Sequence, residues 1–463
     1  MKIIKCALIA VIFSFSVFAC AEQQIINYPP VKDITLPNGL RVMLIEQNQQ
    51  ETISYRMLVN AARADQPIGR EGIADFTASM LQEGTATRTS GQIADDIAAI
   101  GSGLSVSPQP KFVIIGMDLL SEFSGRGLDI FSDILLHPSF PSDGYNRIKK
   151  DMLNSVQINL TDNDTIAFNH GRCVLFEKGN PLGRTNTKKS IESLKIKDIR
   201  KFYETYYRPN NSIMLVIGNF ETGQMLQEIT ARFGSWQRAE IPARFETKPD
   251  FHAKGKIRVV DKPGMTQAVI YLNQWSPDST SSRYYDYQLA NYVLGGGNFS
   301  SRLTYAVRSK GGMTYHIGSF TNIHSNYGVL NITTSTRNQE LYNAYKLILS
   351  EIQNLSDKGV SEDELQKAQN YISGAIPLQL ESPGQVADKI LTSIMRDFTI
   401  NDLSKEVINY NKVTVADVNS VMREYLKAET FNTVVVCDFD KVKPQLDQIG
   451  AYEIVNYKAD PCK

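Results

Sequence analysis

The sequence predicts an α+β fold made of two homologous, layered α/β-sandwich domains. The first observation behind this prediction is internal repetition along the 463-residue chain, in which three pairs of segments recur in the same order at a similar offset. The pairs are 40–45 with 257–260, 140–151 with 359–370, and 212–220 with 433–439. The second observation is that strand and helix periodicity are mixed within each copy. Strands joined by runs of helices are typical of a sheet with one helical face and one open face.

The repeat also sets the predicted domain boundaries. We place an N-terminal domain over residues 31–239 and a C-terminal domain over residues 255–460. The segment between them, 240–254, contains two prolines and many charged side chains. Such composition breaks regular structure, so we interpret this segment as the linker.

Periodicity within the first copy predicts its elements in order. Alternating side chains predict strands over 52–59 and 112–117, and helical spacing is present over 72–81, 91–100, 128–136 and the segment that contains Arg147. In the second copy, Ser361 and Glu364 form a capping box, in which a hydroxyl and a carboxylate satisfy free amides at the start of a helix.

The N-terminus differs in composition from the rest of the chain. Two lysines precede an apolar run over residues 6–18, which is too short to span a bilayer but has the length of a signal-peptide core. We therefore interpret residues 1–20 as a signal peptide of the lipoprotein type and residues 21–30 as a tether. The protein is then exported to the periplasm and held at a bacterial membrane by its lipid anchor alone.

The site of processing has two readings. Residues 17–20 resemble a lipobox, which would make Cys20 the lipid attachment site. Cleavage after Ala21, at a small-x-small sequence, would instead release a soluble periplasmic protein. No other stretch of the sequence is long and apolar enough to cross a membrane.

Composition excludes two broad classes of protein. The chain has 49 Lys and Arg against 49 Asp and Glu, so it lacks the basic excess that nucleic-acid binding requires. Its hydrophobic content of 42% argues against intrinsic disorder.

Three cysteines remain after the predicted signal peptide and Cys20 are set aside. A bridge between Cys437 and Cys462 would hold the C-terminal tail. The alternative is three reduced cysteines, with Cys173 and Cys437 buried. No CxxC spacing points to a metal or redox site.

The segment 72–85, Gly-Ile-Ala-Asp-Phe-Thr-Ala-Ser-Met-Leu-Gln-Glu-Gly-Thr, resembles the signature helix of the pitrilysin/insulinase peptidases. These enzymes are inverzincins, whose helix carries His-x-x-Glu-His between a leading Gly and a trailing Gly-Thr. The resemblance continues through 180–184, 202–212, 294–303 and 307–315 and covers nearly all of the mature chain. It implies the duplicated architecture that the repeat also predicts.

The residues at the family's metal positions depart from the motif. Asp75 and Ser79 stand where the resemblance places the two histidines, and Ala78 stands where it places the glutamate base. The family's third ligand is a Glu on a later helix, and the matching segment 147–157 contains no Glu. A catalytic zinc needs about three protein ligands, so we expect no metal and no cofactor in this chain.

Histidines elsewhere do not suggest a replacement site. None of the five forms HxxH or HxxxH spacing, and we interpret them as solvated or core residues. They are His137, His170, His252, His316 and His324.

Arg308 and Tyr315 match the family's C-terminal Arg-Tyr pair, which the resemblance assigns to substrate contact near the scissile bond. A guanidinium and a phenol are donors that can stabilise an oxyanion. Gly311 and Gly312 would permit a tight turn that aims both side chains at one mouth. The glycine-rich loop 295–301 lacks the phosphate-loop pattern, and we interpret it as structural.

Two functions follow from these features. The resemblance implies that this chain is the non-catalytic subunit of a two-chain periplasmic zinc peptidase. It would complete the chamber and supply Arg308 and Tyr315, in trans, to peptides bound at the zinc of a homologous partner. The alternative is a catalytically inactive peptide-binding or scaffold homodimer.

Overall fold

We describe a computed structural model of the protein, which covers residues 25–176 and 179–463. The predicted signal peptide, the lipid attachment site Cys20 and the first residues of the predicted tether lie outside the described residues. Within the described ranges, no helix combines the length and the hydropathy needed to cross a bilayer.

Within the residues that the structure describes, twelve strands form two six-stranded sheets. The strands are β1 Lys32–Thr35, β2 Arg41–Glu46, β3 Thr52–Val59, β4 Gly103–Pro108, β5 Val113–Leu120, β6 Ser212–Gly218, β7 Ile257–Asp261, β8 Gln267–Ser276, β9 Ile317–Ile323, β10 Gly328–Arg337, β11 Asn432–Cys437 and β12 Glu453–Asn456. The strand orders are β1-β2-β6-β3-β5-β4 in the first sheet and β12-β7-β11-β8-β10-β9 in the second.

The α-helices are distributed over both halves of the chain. They are α1 Ile73–Met80, α2 Ser90–Ala98, α3 Ser124–Leu136, α4 Ser142–Asn159, α5 Asn163–Leu175, α6 Lys188–Ser193, α7 Ile196–Tyr206, α8 Thr222–Phe233, α9 Tyr284–Asn291, α10 Leu341–Lys358, α11 Glu362–Leu378, α12 Pro383–Ile394, α13 Ile400–Ser404, α14 Glu406–Lys412, α15 Val415–Tyr425 and α16 Phe439–Ile449. Residues 236–256, which include the predicted linker, form neither helix nor strand.

The fold class and the duplication are confirmed. The segments paired by sequence occupy equivalent places, since β2 corresponds to β7, β6 to β11, and the start of α4 to the start of α11. In the second half the predicted capping box is present, with the Glu364 amide donating to Ser361 Oγ and the Ser361 amide donating to Glu364 Oε2. Each half buries one large apolar core between its sheet and its own helices.

The expectation of an open sheet face in each half is wrong. Helix α5, from the first half, packs against β8 and β11 of the second sheet. Helix α12, from the second half, packs against β3 and β6 of the first sheet. Every residue of β3 and β8 after the first is therefore buried, although the two strands include polar side chains.

The structure also corrects the cysteine predictions. The disulfide joins Cys173 to Cys462, whose Cα atoms are 5.1 Å apart, and Cys437 is a buried free thiol. Cys437 ends β11 and packs into the core of the second half, so it cannot reach the tail. The tail instead runs past the C-terminal end of α5, which carries Cys173. The bridge thus links the first half to the end of the second.

Candidate functional site

Helix α1 carries the residues at the predicted metal positions, and its start is fixed by close packing. Gly72 precedes the helix with φ of 98°, and a Cβ there would lie 2.4 Å from Ile191 Cδ1. Only glycine combines this conformation with this approach. The Gln66 side chain accepts a hydrogen bond from the Gly72 amide at 2.7 Å, which satisfies one free N–H at the helix start.

The side chains of α1 offer one potential metal ligand. Asp75 is half-buried, with Asn186 Nδ2 at 3.5 Å from its Oδ2. Ala78 is buried and has no donor atom. Ser79 is exposed, and its hydroxyl donates to the Asp75 carbonyl at 3.0 Å. The helix therefore supplies one carboxylate and no imidazole, and no residue at the base position can accept a proton.

Helix α4, which matches the family's third-ligand helix, adds a cation instead of a ligand. Arg147 forms an ion pair with Glu83, which follows α1. A Cβ on Gly144 would lie 2.8 Å from Glu83 Cβ, so the two elements are in direct contact. Burial raises the pKa of Glu83, and Arg147 opposes this shift only in part.

These residues do not fit a catalytic zinc, because two imidazoles and a second carboxylate are missing. In the ranges 25–176 and 179–463, no three His, Cys, Asp or Glu side chains are grouped so that they could hold a metal ion. His170 is one example of the environment of a histidine in this fold. It is buried against Arg258, and burial, followed by that guanidinium, lowers its pKa to about 3.

Arg308 and Tyr315 lie in the second half, beside the edge strand β9. Arg308 is near the end of a π-helical segment, Thr304–Lys310. The helix closes through Gly312, whose φ is 60°, with the Gly312 amide donating to the Arg308 carbonyl at 3.0 Å. The predicted glycine turn is therefore present, and it leads directly to Tyr315.

The Arg308 guanidinium stacks on the ring of Phe299, 4.5 Å from the ring centroid. Phe299 is 71% exposed and Tyr315 is 88% exposed, so both rings are accessible from solvent. Among the described residues, no carboxylate lies within ion-pair distance of Arg308. Thr314 donates to the Ser335 carbonyl of β10 at 2.7 Å and so holds the loop before Tyr315 against the sheet.

Phe299 and the π-helical segments were not predicted from the sequence. The loop 295–301 was interpreted as structural, yet it places Phe299 against Arg308. A second π-helical segment, Tyr292–Gly296, precedes this loop. Such segments are rare and occur often at functional sites. In the sequence, the available signal is an aromatic residue beside an asparagine in a glycine-rich loop. In the structure this asparagine, Asn298, takes a left-handed φ of 49°.

The two candidate sites rest on different sheets. Helix α1 packs against α4, α7 and β4 of the first half. The segment Thr304–Lys310 packs against α10 and β9 of the second half. Asp75 and Arg308 are therefore positioned by different halves of the chain.

Comparison with known proteins gives the same family for both halves. Residues 41–170 match the family model of Insulinase (Peptidase family M16), and residues 193–372 match that of the Peptidase M16 inactive domain. An uncharacterized zinc protease of Bacillus subtilis is 24% identical over 400 residues, which are 85% of this chain and 95% of the relative. A probable mitochondrial-processing peptidase subunit beta of Arabidopsis thaliana is 22% identical over 381 residues, which are 80% of this chain and 71% of the relative.

Solved structures support the fold. The peptidase M16 inactive domain from Pseudomonas fluorescens aligns with a TM-score of 0.81 at 21% identity, covering 88% of this chain and 97% of that one. A protease from Helicobacter pylori aligns with a TM-score of 0.82 at 18% identity, covering 89% and 100%. This chain therefore belongs to the M16 (insulinase) peptidase family and lacks the His-x-x-Glu-His motif that would bind zinc.

Proposed function

We propose that this protein is the non-catalytic subunit of a two-chain zinc peptidase. The observation that carries the proposal is the contrast between α1, which has one carboxylate and no imidazole, and the second half, where Arg308 stacks on exposed Phe299 and Tyr315 is exposed. A chain that cannot activate water by itself still presents two donors. Such donors are useful only beside a zinc site on another chain.

The chemistry assigned to Arg308 and Tyr315 is stabilisation of negative charge. As water attacks a peptide carbonyl, the oxygen becomes an oxyanion, and a guanidinium or phenol placed beside it lowers the barrier. The Arg308 guanidinium can only donate hydrogen bonds, and it has no carboxylate partner among the described residues. Phe299 limits the directions that its guanidinium can take, which favours a fixed donor over a mobile one.

The partner in this proposal is a homologous chain with an intact motif, and the substrates are short or unfolded peptides. Both sheets have an edge strand, β4 and β9, that could pair with an extended peptide. We further propose that the complex acts in the periplasm and that lipid on Cys20 tethers it to the membrane. Zinc would be supplied by the partner alone.

The test is peptide hydrolysis by the complex of this chain with its zinc-bearing homologue. We expect Arg308→Ala to lower kcat/KM about 100- to 1000-fold, as loss of an oxyanion donor does. Lys310→Ala, an exposed cation on the same π-helical segment, is the matched control and should keep full activity.

A second pair of variants tests the hydroxyl of Tyr315 separately from its aromatic ring. Tyr315→Phe should reduce kcat, whereas Tyr305→Phe, also exposed on the same part of the fold, should not. Full activity in both Arg308→Ala and Tyr315→Phe would reject the contribution in trans. Failure of the two chains to form a complex would favour the scaffold homodimer instead.

A further inference from the structure

Arg172 is a cation that lies between the two halves and has no ion-pair partner in the described part of the chain. It belongs to α5, the helix that packs on the second sheet, and its neighbour Gly171 lies so close to that sheet that a Cβ would be 2.2 Å from Tyr271 Cε1. Its guanidinium donates to the Arg184 carbonyl at 2.7 Å through Nη2 and lies 5.5 Å from the ring centroid of Phe168. Within residues 25–176 and 179–463, no carboxylate is within ion-pair distance of it.

Buried charges in proteins are normally paired, because an unpaired charge loses its hydration without compensation. The Nε atom of Arg172 is buried and has no hydrogen-bond partner among the described residues. Burial, followed by the charge of Arg63, lowers the pKa of Arg172 to about 9. Arg172 as a whole residue is only half-buried, which leaves part of the side chain exposed to solvent.

Arg172 also lies beside the altered metal helix. The backbone that accepts its hydrogen bond belongs to Arg184, and two residues later Asn186 contacts Asp75. Arg184 itself is neutralised, because it forms an ion pair with Glu71 at 3.0 Å. Of these two arginines, Arg172 is the one without an ion-pair partner among the described residues.

Other buried polar groups near α5 also lack partners. Both amide atoms of Asn273 are buried without a hydrogen bond, and its Nδ2 lies 3.0 Å from the position of a Cβ on Gly171. The amide of a buried Asn normally finds a partner in protein or ordered water. An unsatisfied amide on the sheet that faces α5 and an unpaired guanidinium on α5 are features expected where a polar, negatively charged ligand binds between the two halves.

We propose that Arg172 binds the carboxylate of a peptide between the two halves of this chain. A singly charged anion compensates the guanidinium, whereas a more highly charged one would meet the nearby carboxylate of Asp75. This inference rests on the proposed function only for the choice of peptides as ligands. The carboxylate comes from a peptide C-terminus or from an acidic side chain, and the experiment separates these sources.

The experiment is calorimetric titration of this chain alone, at low salt, with three probes. They are acetylated tetra-alanine with a free C-terminus, the same peptide as its C-terminal amide, and that amide with one Ala replaced by Glu. We expect the free acid, the Glu peptide or both to bind at least tenfold more tightly than the neutral amide, as a charge-assisted hydrogen bond should provide. Equal affinity for all three probes in the wild-type protein overturns the proposal, whatever the behaviour of any variant.

Two variants assign the effect to Arg172. Arg172→Gln should weaken binding of the charged probes about tenfold or more and leave the amide unchanged. Arg200→Gln is the matched control, because Arg200 also donates to a backbone carbonyl at 2.7 Å and lies 5.5 Å from an aromatic centroid, but on exposed α7. Undiminished binding of the charged probes in folded Arg172→Gln would contradict the assignment. Because the partner is absent, either result is independent of the Arg308 test.

Discussion

The two halves of the chain share a strand order but treat their polar side chains in opposite ways. On α1, Ser79 gives its hydroxyl to its own helix, and Asp75 has one long contact with Asn186. In the second half, Arg308 and Tyr315 are left without such local partners beside two π-helical segments. The comparison teaches that side chains satisfied within their own helix offer nothing to a ligand, whereas donors that stay accessible still can, which is the basis of the proposed function.

The halves also differ in how the helix that each receives from the other half is attached. Helix α12 is fastened to the first sheet by Asp388, which accepts from Arg56 Nε at 3.0 Å, while Asp118 pairs with the same guanidinium. The end of α5 is fastened covalently through Cys173 and Cys462. The attachment of α12 to the first sheet therefore depends on ion pairs, whereas that of α5 depends on the redox state of a disulfide. The two attachments can be perturbed separately.

The largest expected effect concerns the disulfide. Cys462→Ser should destabilise the protein by about 2–5 kcal/mol, because the bridge closes a long loop in the unfolded chain. Thermal unfolding with and without a dithiol reductant measures this. The reductant should lower the transition midpoint of the wild-type protein and leave that of Cys462→Ser unchanged. An unchanged wild-type midpoint, with free thiols verified by mass spectrometry, would contradict the bridge as a stabilising link.

A smaller effect concerns the ion pairs on the equivalent helices α4 and α11. In the second half, burial disfavours ionised Glu364, but hydrogen bonds from Arg302 and the Ser361 amide outweigh it and lower its pKa to about 2. In the first half, burial raises the pKa of Glu83 despite Arg147. Only the Glu364 pair should therefore stabilise the folded state at neutral pH.

The pH dependence follows from the direction of the shift. A carboxyl with a lowered folded pKa stabilises the protein above its unfolded pKa of about 4.3 and loses that contribution as pH falls towards 2. Chemical unfolding of wild type and Glu364→Gln should differ by roughly 1–2 kcal/mol at pH 7, after allowance for partial exposure, and converge near pH 2. A difference in the free energy of unfolding that persists at pH 2 would show that the substitution acts through packing and not through the loss of a charge.

The smallest expected effect is at the altered metal helix. Ser79→Ala removes an exposed hydroxyl that bonds to the Asp75 carbonyl. We expect less than a twofold change in kcat/KM of the complex, since the side chain has no ligand to hold. A loss comparable to that of Arg308→Ala would mean that α1 retains a catalytic part and that the contrast between the halves is wrong.

Much of the fold could be predicted from local patterns. The strand at 52–59 was placed at its observed bounds, and the helices near 72–81 and 91–100 were placed to within about two residues. These elements are encoded by periodicity and capping within a few residues. The repeat predicted the duplication because each copy uses the same elements in the same order.

Features that depend on long-range packing could not be predicted in this way. Each of the helices α5 and α12 packs on the sheet of the other half, and the disulfide joins Cys173 to Cys462. These contacts are between residues far apart in sequence, and periodicity gives no information about them. Phe299 was overlooked because its role depends on the ring meeting Arg308, nine positions along, in a loop with a left-handed Asn298. Arg172 was overlooked because a missing partner is visible only in three dimensions.

The most direct test of the division of labour is metal analysis of each chain after the two-chain complex has been purified and its subunits separated. Our account predicts about one zinc per complex, held by the homologous partner, and a negligible amount on this chain, as expected for a helix with one carboxylate and no imidazole. Zinc near one equivalent on this chain would contradict it.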